Sequence, residues 1–206
     1  MIRNYIFDFG NVLGQFDPAA MTALWVDDPD TAATVSQVAY DRLYWDKLDD
    51  GTITDEAIRE DIFRRLPEAL ARIAWEVYEK WIISMPPVPG MEVLVKDIKC
   101  TGGRIYLLSN ISIGFAEGYR ACPWIKALFS HFDGLVFSGP VGLVKPHEDI
   151  FHYLLEKYDL HPEECIFIDD RQENISGAEA VGIQGYLFDG DAEKLRSTLG
   201  IPRPGL

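Results

Sequence analysis

The chain has 206 residues, enough for one sizeable core or for one core carrying an inserted lobe. Apolar residues make up 48% and charged residues 25%, the composition of ordinary globular material. The formal charge of −14 argues against nucleic acid and anionic membrane as partners, and any site for an anionic substrate must be made positive locally.

The first predicted element is a buried strand over Tyr5–Phe9 in "NYIFDFGNVL", which delivers Asp8 to a glycine-containing turn. The amino terminus enters this strand at once, without the basic and then apolar pattern of a secretory signal. No run approaches the roughly 18 apolar residues of a membrane span. The expected location is therefore cytoplasmic. Cys100, Cys122 and Cys165 form no CxxC pair and read as buried, reduced thiols.

Residues 15–87 contain no convincing strand. Asp17 reads as the cap of a helix begun by Pro18. In "YDRLYWDKL", the spacing of Tyr40, Tyr44 and Trp45 fits one helical face, a core stripe that could alternatively face a sugar ring. "TDEAIREDIFRRL" has Thr54 as N-cap, acids in its first turn, and Ile58, Ile62 and Leu66 one turn apart. "PEALARIAWEVYEKW" repeats the theme with Leu70, Ile73, Val77 and Trp81. "PPVPG", residues 86–90, is a stiff connector.

Beyond it, strand and helix alternate. Strands are expected at Arg104–Leu108, Leu135–Phe137, Cys165–Ile168 and Gly185–Phe188. "PHEDIFHYLLEKYDL" reads as a helix with Pro146 in its first turn, and "ENISGAEAVG" as a helix closed by Gly182. The expected class is α/β: a three-layer, Rossmann-like parallel sheet core (residues 1–14 and 88–206) with an inserted all-helical cap (residues 15–87).

In open parallel sheets, ligands bind outside the carboxyl ends of the strands. Those ends carry Asp8, then Ser109 and Asn110 in "YLLSN", Lys145 in "GLVKPHEDIF", and Asp169 and Asp170 in "IFIDDRQEN". Each alone is an ordinary turn, cap or surface residue. In this order, each at a strand end, they form a pattern. Two unit charges 4 Å apart interact by about 4 kcal/mol at an effective dielectric near 20, so three gathered carboxylates call for a cation among them. Hard oxygen ligands suit Mg²⁺, which leaves positions for water and a phosphate. Mg²⁺ and Lys145 together would offset the repulsion between a phosphate dianion and Asp8. This layout suits phosphoryl transfer with a carboxylate as nucleophile.

"FDFGNV", "LLSN", "KPHEDIF" and "IDDRQEN" resemble, in order, the four motifs of the haloacid dehalogenase superfamily, in the branch with a helical cap after the first motif. The resemblance covers essentially the whole chain. It implies that Asp8 is the nucleophile and a metal ligand. Gly10 would lend its backbone carbonyl to Mg²⁺, and Ser109 and Asn110 would bind phosphoryl oxygens. Lys145 would neutralise charge on the nucleophile and phosphate. Asp170 would bind Mg²⁺, and Asp169 would bind it directly or through water. Arg171 and Asn174 fit the fourth motif without a derivable role.

Most phosphatases of the superfamily carry a second aspartate two residues after the nucleophile, as general acid and base. Here that residue is Gly10, so catalysis worth about 10²–10⁴-fold must be weakened or come from elsewhere. Asp46, Asp49 and Asp50 of the cap are candidates that also read as surface residues. The resemblance extends to bacterial glucose-1-phosphate phosphatases whose first motif is D-x-G-N-V. The expected function is Mg²⁺-dependent hydrolysis of a small phosphorylated metabolite, such as a sugar phosphate, by a monomer or homodimer.

An alternative is a phosphate-ligand binding or regulatory protein with little turnover. A dehalogenase of this fold would carry a tyrosine at Gly10 and lack the paired acids. A phosphonate-cleaving enzyme would need a cap lysine, Lys47 or Lys80. Arg42, Arg59, Arg64 and Arg65 are cap cations that the sequence does not place.

Overall fold

The computed structural model describes residues 2–203. Five strands, β1 (Asn4–Phe7), β2 (Arg104–Ser109), β3 (Gly134–Phe137), β4 (Cys165–Asp169) and β5 (Gln184–Leu187), form one parallel sheet in the order β3-β2-β1-β4-β5. The architecture is the expected α/β, Rossmann-like fold. The central strands β1, β2 and β4 are short and apolar because parallel strands are covered on both faces, whereas the edge strands β3 and β5 are only partly covered, contrary to the expectation that all five are buried. Strand alternation divides their side chains between two cores. Tyr5, Phe7, Ile105, Leu107, Ile166 and Ile168 enter one cluster, and Ile6, Tyr106, Leu108, Cys165 and Phe167 the other.

Between β1 and β2 lie α1 (Pro18–Ala23), α2 (Pro29–Ala39), α3 (Arg42–Asp49), α4 (Asp55–Arg65), α5 (Glu68–Glu79), α6 (Trp81–Ser84) and α7 (Met91–Cys100). The first six hold most of residues 15–87 and share the first core cluster through Val35, Ile58, Ile62 and Ala74. Thr54 caps α4 by accepting from the Ala57 N–H, and Asp17 caps α1 by accepting from those of Ala19 and Ala20. The buried stripe of α5 is Ala71, Ala74, Val77 and Tyr78, one position round from the expected Leu70–Ile73–Val77 face. Small alanines let a neighbouring helix approach closely, which apolar size alone does not reveal.

After β2 come α8 (Ile113–Gly118), α9 (Pro123–Phe129), α10 (Ser138–Val141), α11 (Glu148–Tyr158), α12 (Gln172–Ala180) and α13 (Ala192–Leu199). Ile150, Phe151 and Leu154 of α11 cover the second core face. Pro146 lies outside α11, contrary to expectation. It follows a cis peptide bond, and His147 is the residue that precedes the helix. Gly182 does follow α12, at φ 86°. Of the thiols, Cys122 and Cys165 are buried, but Cys100 is exposed at the end of α7, because its helical position falls off the apolar face. Among the described residues, no helix is long and apolar enough to cross a membrane.

Candidate active site

The sheet reverses its direction of growth at β1, whose neighbours are β2 and β4. Ligands of open α/β sheets sit outside the carboxyl ends at such a point. The register explains the convergence. Phe7 is level with Leu107 and with Ile168, so the next residue, Asp8, emerges beside the ends of β2 and β4. The Asp8 N–H continues the ladder by donating to the Ile168 carbonyl.

Lys145 enters this space from the loop before α11. Its Nζ lies 2.8 Å from Asp8 Oδ1 and 2.7 Å from Asp169 Oδ2, and all three side chains are buried. The Phe9 N–H also donates to Asp8 Oδ1, at 2.7 Å. Burial raises the Asp8 carboxyl to about 6 although Lys145 opposes the shift and Asp169 adds to it. Burial alone would lower Lys145, yet Asp8 and Asp169 hold it above the ordinary lysine value.

Asp169 and Asp170 are neighbours with different environments. Asp169 accepts from Lys145 Nζ, from the Arg171 N–H and from Asn174 Nδ2, the last bonding both oxygens at 3.0 Å. Its lone pairs are largely used. Asp170 is half-buried, lines the cavity and accepts from Asn11 Nδ2 at 3.2 Å. Oxygens of Asp8, Asp169 and Asp170 lie within 4.8 Å of one another. Three carboxylates against one ammonium leave an excess of negative charge on hard oxygen donors, which fits a divalent cation such as Mg²⁺.

Ser109, at the end of β2, is buried and lines the cavity with Asp8, whose carboxyl its hydroxyl helps to keep ionised. The Asn110 side chain has a specific task. Its Nδ2 donates to the Lys145 carbonyl at 2.9 Å, and its Oδ1 accepts from the Lys145 N–H at 2.8 Å. This reciprocal pair holds the lysine's backbone against β2. Gly10 lines the cavity, and a Cβ built there meets nothing within 4 Å.

The cavity over these strand ends has a volume of about 580 Å³, within the range of small-molecule pockets. The helical insert supplies its other wall: Phe16, Tyr40, Trp45, Trp81 and Met85. Trp45 stacks on Tyr40 at 6.0 Å and meets Phe16 and Trp81 edge-on at 5.0 and 5.2 Å. The predicted single stripe of Tyr40, Tyr44 and Trp45 is therefore divided. Asp41 starts a new helix by accepting from the Leu43 N–H, so Tyr40 belongs to the end of α2. Tyr40 and Trp45 face the cavity, whereas Tyr44 turns away to Asp61 and Arg65.

Of the cations within residues 15–87, Arg42 lines the cavity, and Arg59, Arg64 and Arg65 instead engage Phe63, Asp61 and Asp41. Lys47 and Lys80 lie off it, Lys80 over the Trp25 ring. Of the candidate acids in residues 15–87, Asp46 and Asp49 line it, and Asp50 is used by the Thr52 N–H. Arg171 lines the cavity and pairs with Glu173.

Sequence reasoning left Asn11 and Asn174 without tasks. Both hold acids of the cluster, Asp170 and Asp169. Asn11 sits at φ 55°, a left-handed conformation that asparagine tolerates better than most residues; the asparagine after the motif glycine was the available signal.

The model of one protein family, described as haloacid dehalogenase-like hydrolase, matches residues 2–182. The chain belongs to this family. Among curated relatives of the hydrolase, the sesquiterpene phosphatase astK of Aspergillus oryzae is 26% identical over 201 residues, covering 95% of each chain. The D-ribitol-5-phosphate phosphatase of Bacteroides thetaiotaomicron is 24% identical over 207 residues, 94% of this chain and 95% of the relative. The fold also matches a haloacid dehalogenase-family enzyme from Bacteroides thetaiotaomicron, crystallised with magnesium and inorganic phosphate. There the TM-score is 0.65 at 20% identity, over 95% of this chain and 99% of that one.

Proposed function

We propose that this hydrolase is an Mg²⁺-dependent phosphatase of a small phosphorylated metabolite, acting through an aspartyl-phosphate on Asp8. The observation that carries the reading is Lys145 bridging Asp8 and Asp169, beside Ser109 and Asp170, at the switch point of the sheet. Hydrogen bonds from the Phe9 N–H and Lys145 both fall on Oδ1 of Asp8. They fix the carboxylate while Oδ2 attacks phosphorus. Lys145 offsets charge on the nucleophile and the incoming phosphate. The Ser109 hydroxyl and the Asn110 backbone receive phosphoryl oxygens, the Asn110 side chain being occupied with Lys145.

Asp8, the Gly10 carbonyl and Asp170 would hold Mg²⁺, with Asp169 orienting Lys145 or reaching the ion through water. The ion supplies charge stabilisation on the transferring phosphoryl group. Residues 15–87 act as the cap over this site, and residues 1–14 and 88–206 as the core.

The names of the two relatives support a phosphomonoester as substrate class and differ in the organic part. The aromatic wall of Phe16, Tyr40, Trp45 and Trp81 suits the face of a sugar ring or another largely apolar group. A second reading, phosphate binding with little turnover, draws on the absence of any acid at Gly10. The test is release of inorganic phosphate from a panel of sugar, polyol, prenyl and aryl phosphates, with and without Mg²⁺, beside Asp8→Asn. Turnover that needs Mg²⁺ and vanishes in Asp8→Asn is expected. Wild type no faster than Asp8→Asn on every compound would favour the binding reading.

A further inference from the structure

Breaking a phosphate ester of an ordinary alcohol requires a proton on the departing oxygen, and the second step requires a base for the attacking water. The acids at the strand ends are committed. Asp8 carries Lys145 and the Phe9 N–H, Asp169 carries Lys145, Asn174 and the Arg171 N–H, and Asp170 carries Asn11. Beside Asp8, Gly10 leaves room that no side chain fills. Asp49, at the end of α3, belongs to the part of the cavity lining that residues 15–87 supply. It is half-buried, lines the same cavity as Asp8, Ser109 and Lys145, and its carboxyl makes no hydrogen bond to any described residue.

Its backbone is fixed to the sheet domain. The Asp49 carbonyl accepts from the Ser138 hydroxyl, whose oxygen in turn accepts from the Ile111 N–H at 2.8 Å. Two residues on, a Cβ at Gly51 would stand 2.8 Å from the Gly139 carbonyl oxygen, so the end of α3 is seated directly on α10. The backbone that carries the carboxyl into the cavity lining is thus anchored to the core and not to a free loop.

We propose that Asp49 is the general acid and base of this hydrolase, supplied from the cap in place of a side chain at Gly10. In the first step the Asp8 Oδ2–phosphorus bond forms, the ester oxygen–phosphorus bond breaks, and the Asp49 proton passes to the leaving oxygen. In the second, Asp49 carboxylate takes a proton from water, the water oxygen–phosphorus bond forms, the Asp8–phosphorus bond breaks, and inorganic phosphate leaves.

Charge around the group agrees. Burial and then the negative charge of Asp8 raise the Asp49 carboxyl to about 7; Lys145 opposes them, and Asp46 on its own helix and Asp50 just after it add to them. Arg42 and Arg171 also line the cavity. An acid titrating near the working pH is suited to giving and retaking a proton.

The inference rests on the phosphatase reading, and the experiment separates the two. Wild type, Asp8→Asn, Asp49→Asn and Asp46→Asn are compared on an alkyl phosphate and on 4-nitrophenyl phosphate, whose leaving group needs no proton. Asp49→Asn should lower kcat/KM about 10²–10⁴-fold on the alkyl ester and leave the aryl ester within a few-fold. On the aryl ester it should give a stoichiometric burst of nitrophenol followed by slow phosphate release. The fall in alkyl kcat/KM above about pH 7 should disappear with it.

Equal losses on both esters, no loss on either, or the same pattern in Asp46→Asn instead would overturn the assignment. Activity abolished in Asp8→Asn but intact in Asp49→Asn defeats this inference alone; activity equal in wild type and Asp8→Asn defeats the phosphatase reading itself. Asp49→Ser repeats the test should Asp49→Asn lose its far-ultraviolet circular dichroism.

Discussion

Lys145 is the residue on which the site turns. It is a buried cation between two buried carboxylates, with side-chain exposures of 1%, 10% and 0% for Lys145, Asp8 and Asp169. Removing one partner of a buried ionic cluster strands the others and costs about 3–5 kcal/mol. Lys145→Met keeps the volume and removes the charge. In metal-free buffer it should destabilise the fold by that amount, read by urea unfolding. Saturating Mg²⁺ should recover a substantial part, since added positive charge beside Asp8 replaces what the lysine supplied. A loss of the same size with and without Mg²⁺ would mean that the lysine stabilises by packing and not by neutralising the acids.

At the scale of elements, the packing of α12 backs the Asn110 pair in holding Lys145 in place. Helix α12 passes so close to the loop before α11 that a Cβ at Gly177 would stand 2.3 Å from the Pro146 carbonyl oxygen. A methyl group cannot fit without moving one element. Gly177→Ala should cost about 1–3 kcal/mol, typical of overpacking. It should also reduce kcat through a displaced Lys145 and Asn110 clamp, whereas alanine at an exposed glycine of a helix normally stabilises. Thermal unfolding and steady-state kinetics on one sample check both.

The elements themselves were largely legible in the sequence. Short Ile-, Leu- and Phe-rich runs, too short for helices, read as strands, though the sequence did not show that β3 and β5 lie at partly exposed edges. Helix starts were readable where a side chain reaches its own backbone, as at Asp17 and Thr54. What was not legible depends on distant partners. The break between α2 and α3 at Asp41 turned Tyr44 away from Tyr40 and Trp45. The placement of Asp49 depends on Ser138, 89 residues away. No local pattern distinguishes Asp49 from Asp46 or Asp50 when the docking of α3 is unknown.

The whole molecule carries a formal charge of −14, and three of its acids are gathered at one sheet edge. Screening of general repulsion and occupation of a specific site both predict that salt stabilises the fold, but they differ in selectivity. Any ligand that binds only the folded state at a hundred times its dissociation constant adds about 2.7 kcal/mol. For a chain of this size each kcal/mol moves Tm by roughly 2–4 °C, so Mg²⁺ at that excess should raise Tm by about 5–10 °C. NaCl of matched ionic strength should give a much smaller rise, because exposed charges are already largely screened near physiological salt. Asp170 faces the cavity with its oxygens less engaged than those of Asp169. Asp170→Asn should therefore lose most of the Mg²⁺-specific rise while keeping the NaCl response. If NaCl matches Mg²⁺, or if Asp170→Asn keeps the full Mg²⁺ shift, the acidic cluster is not where the cation acts.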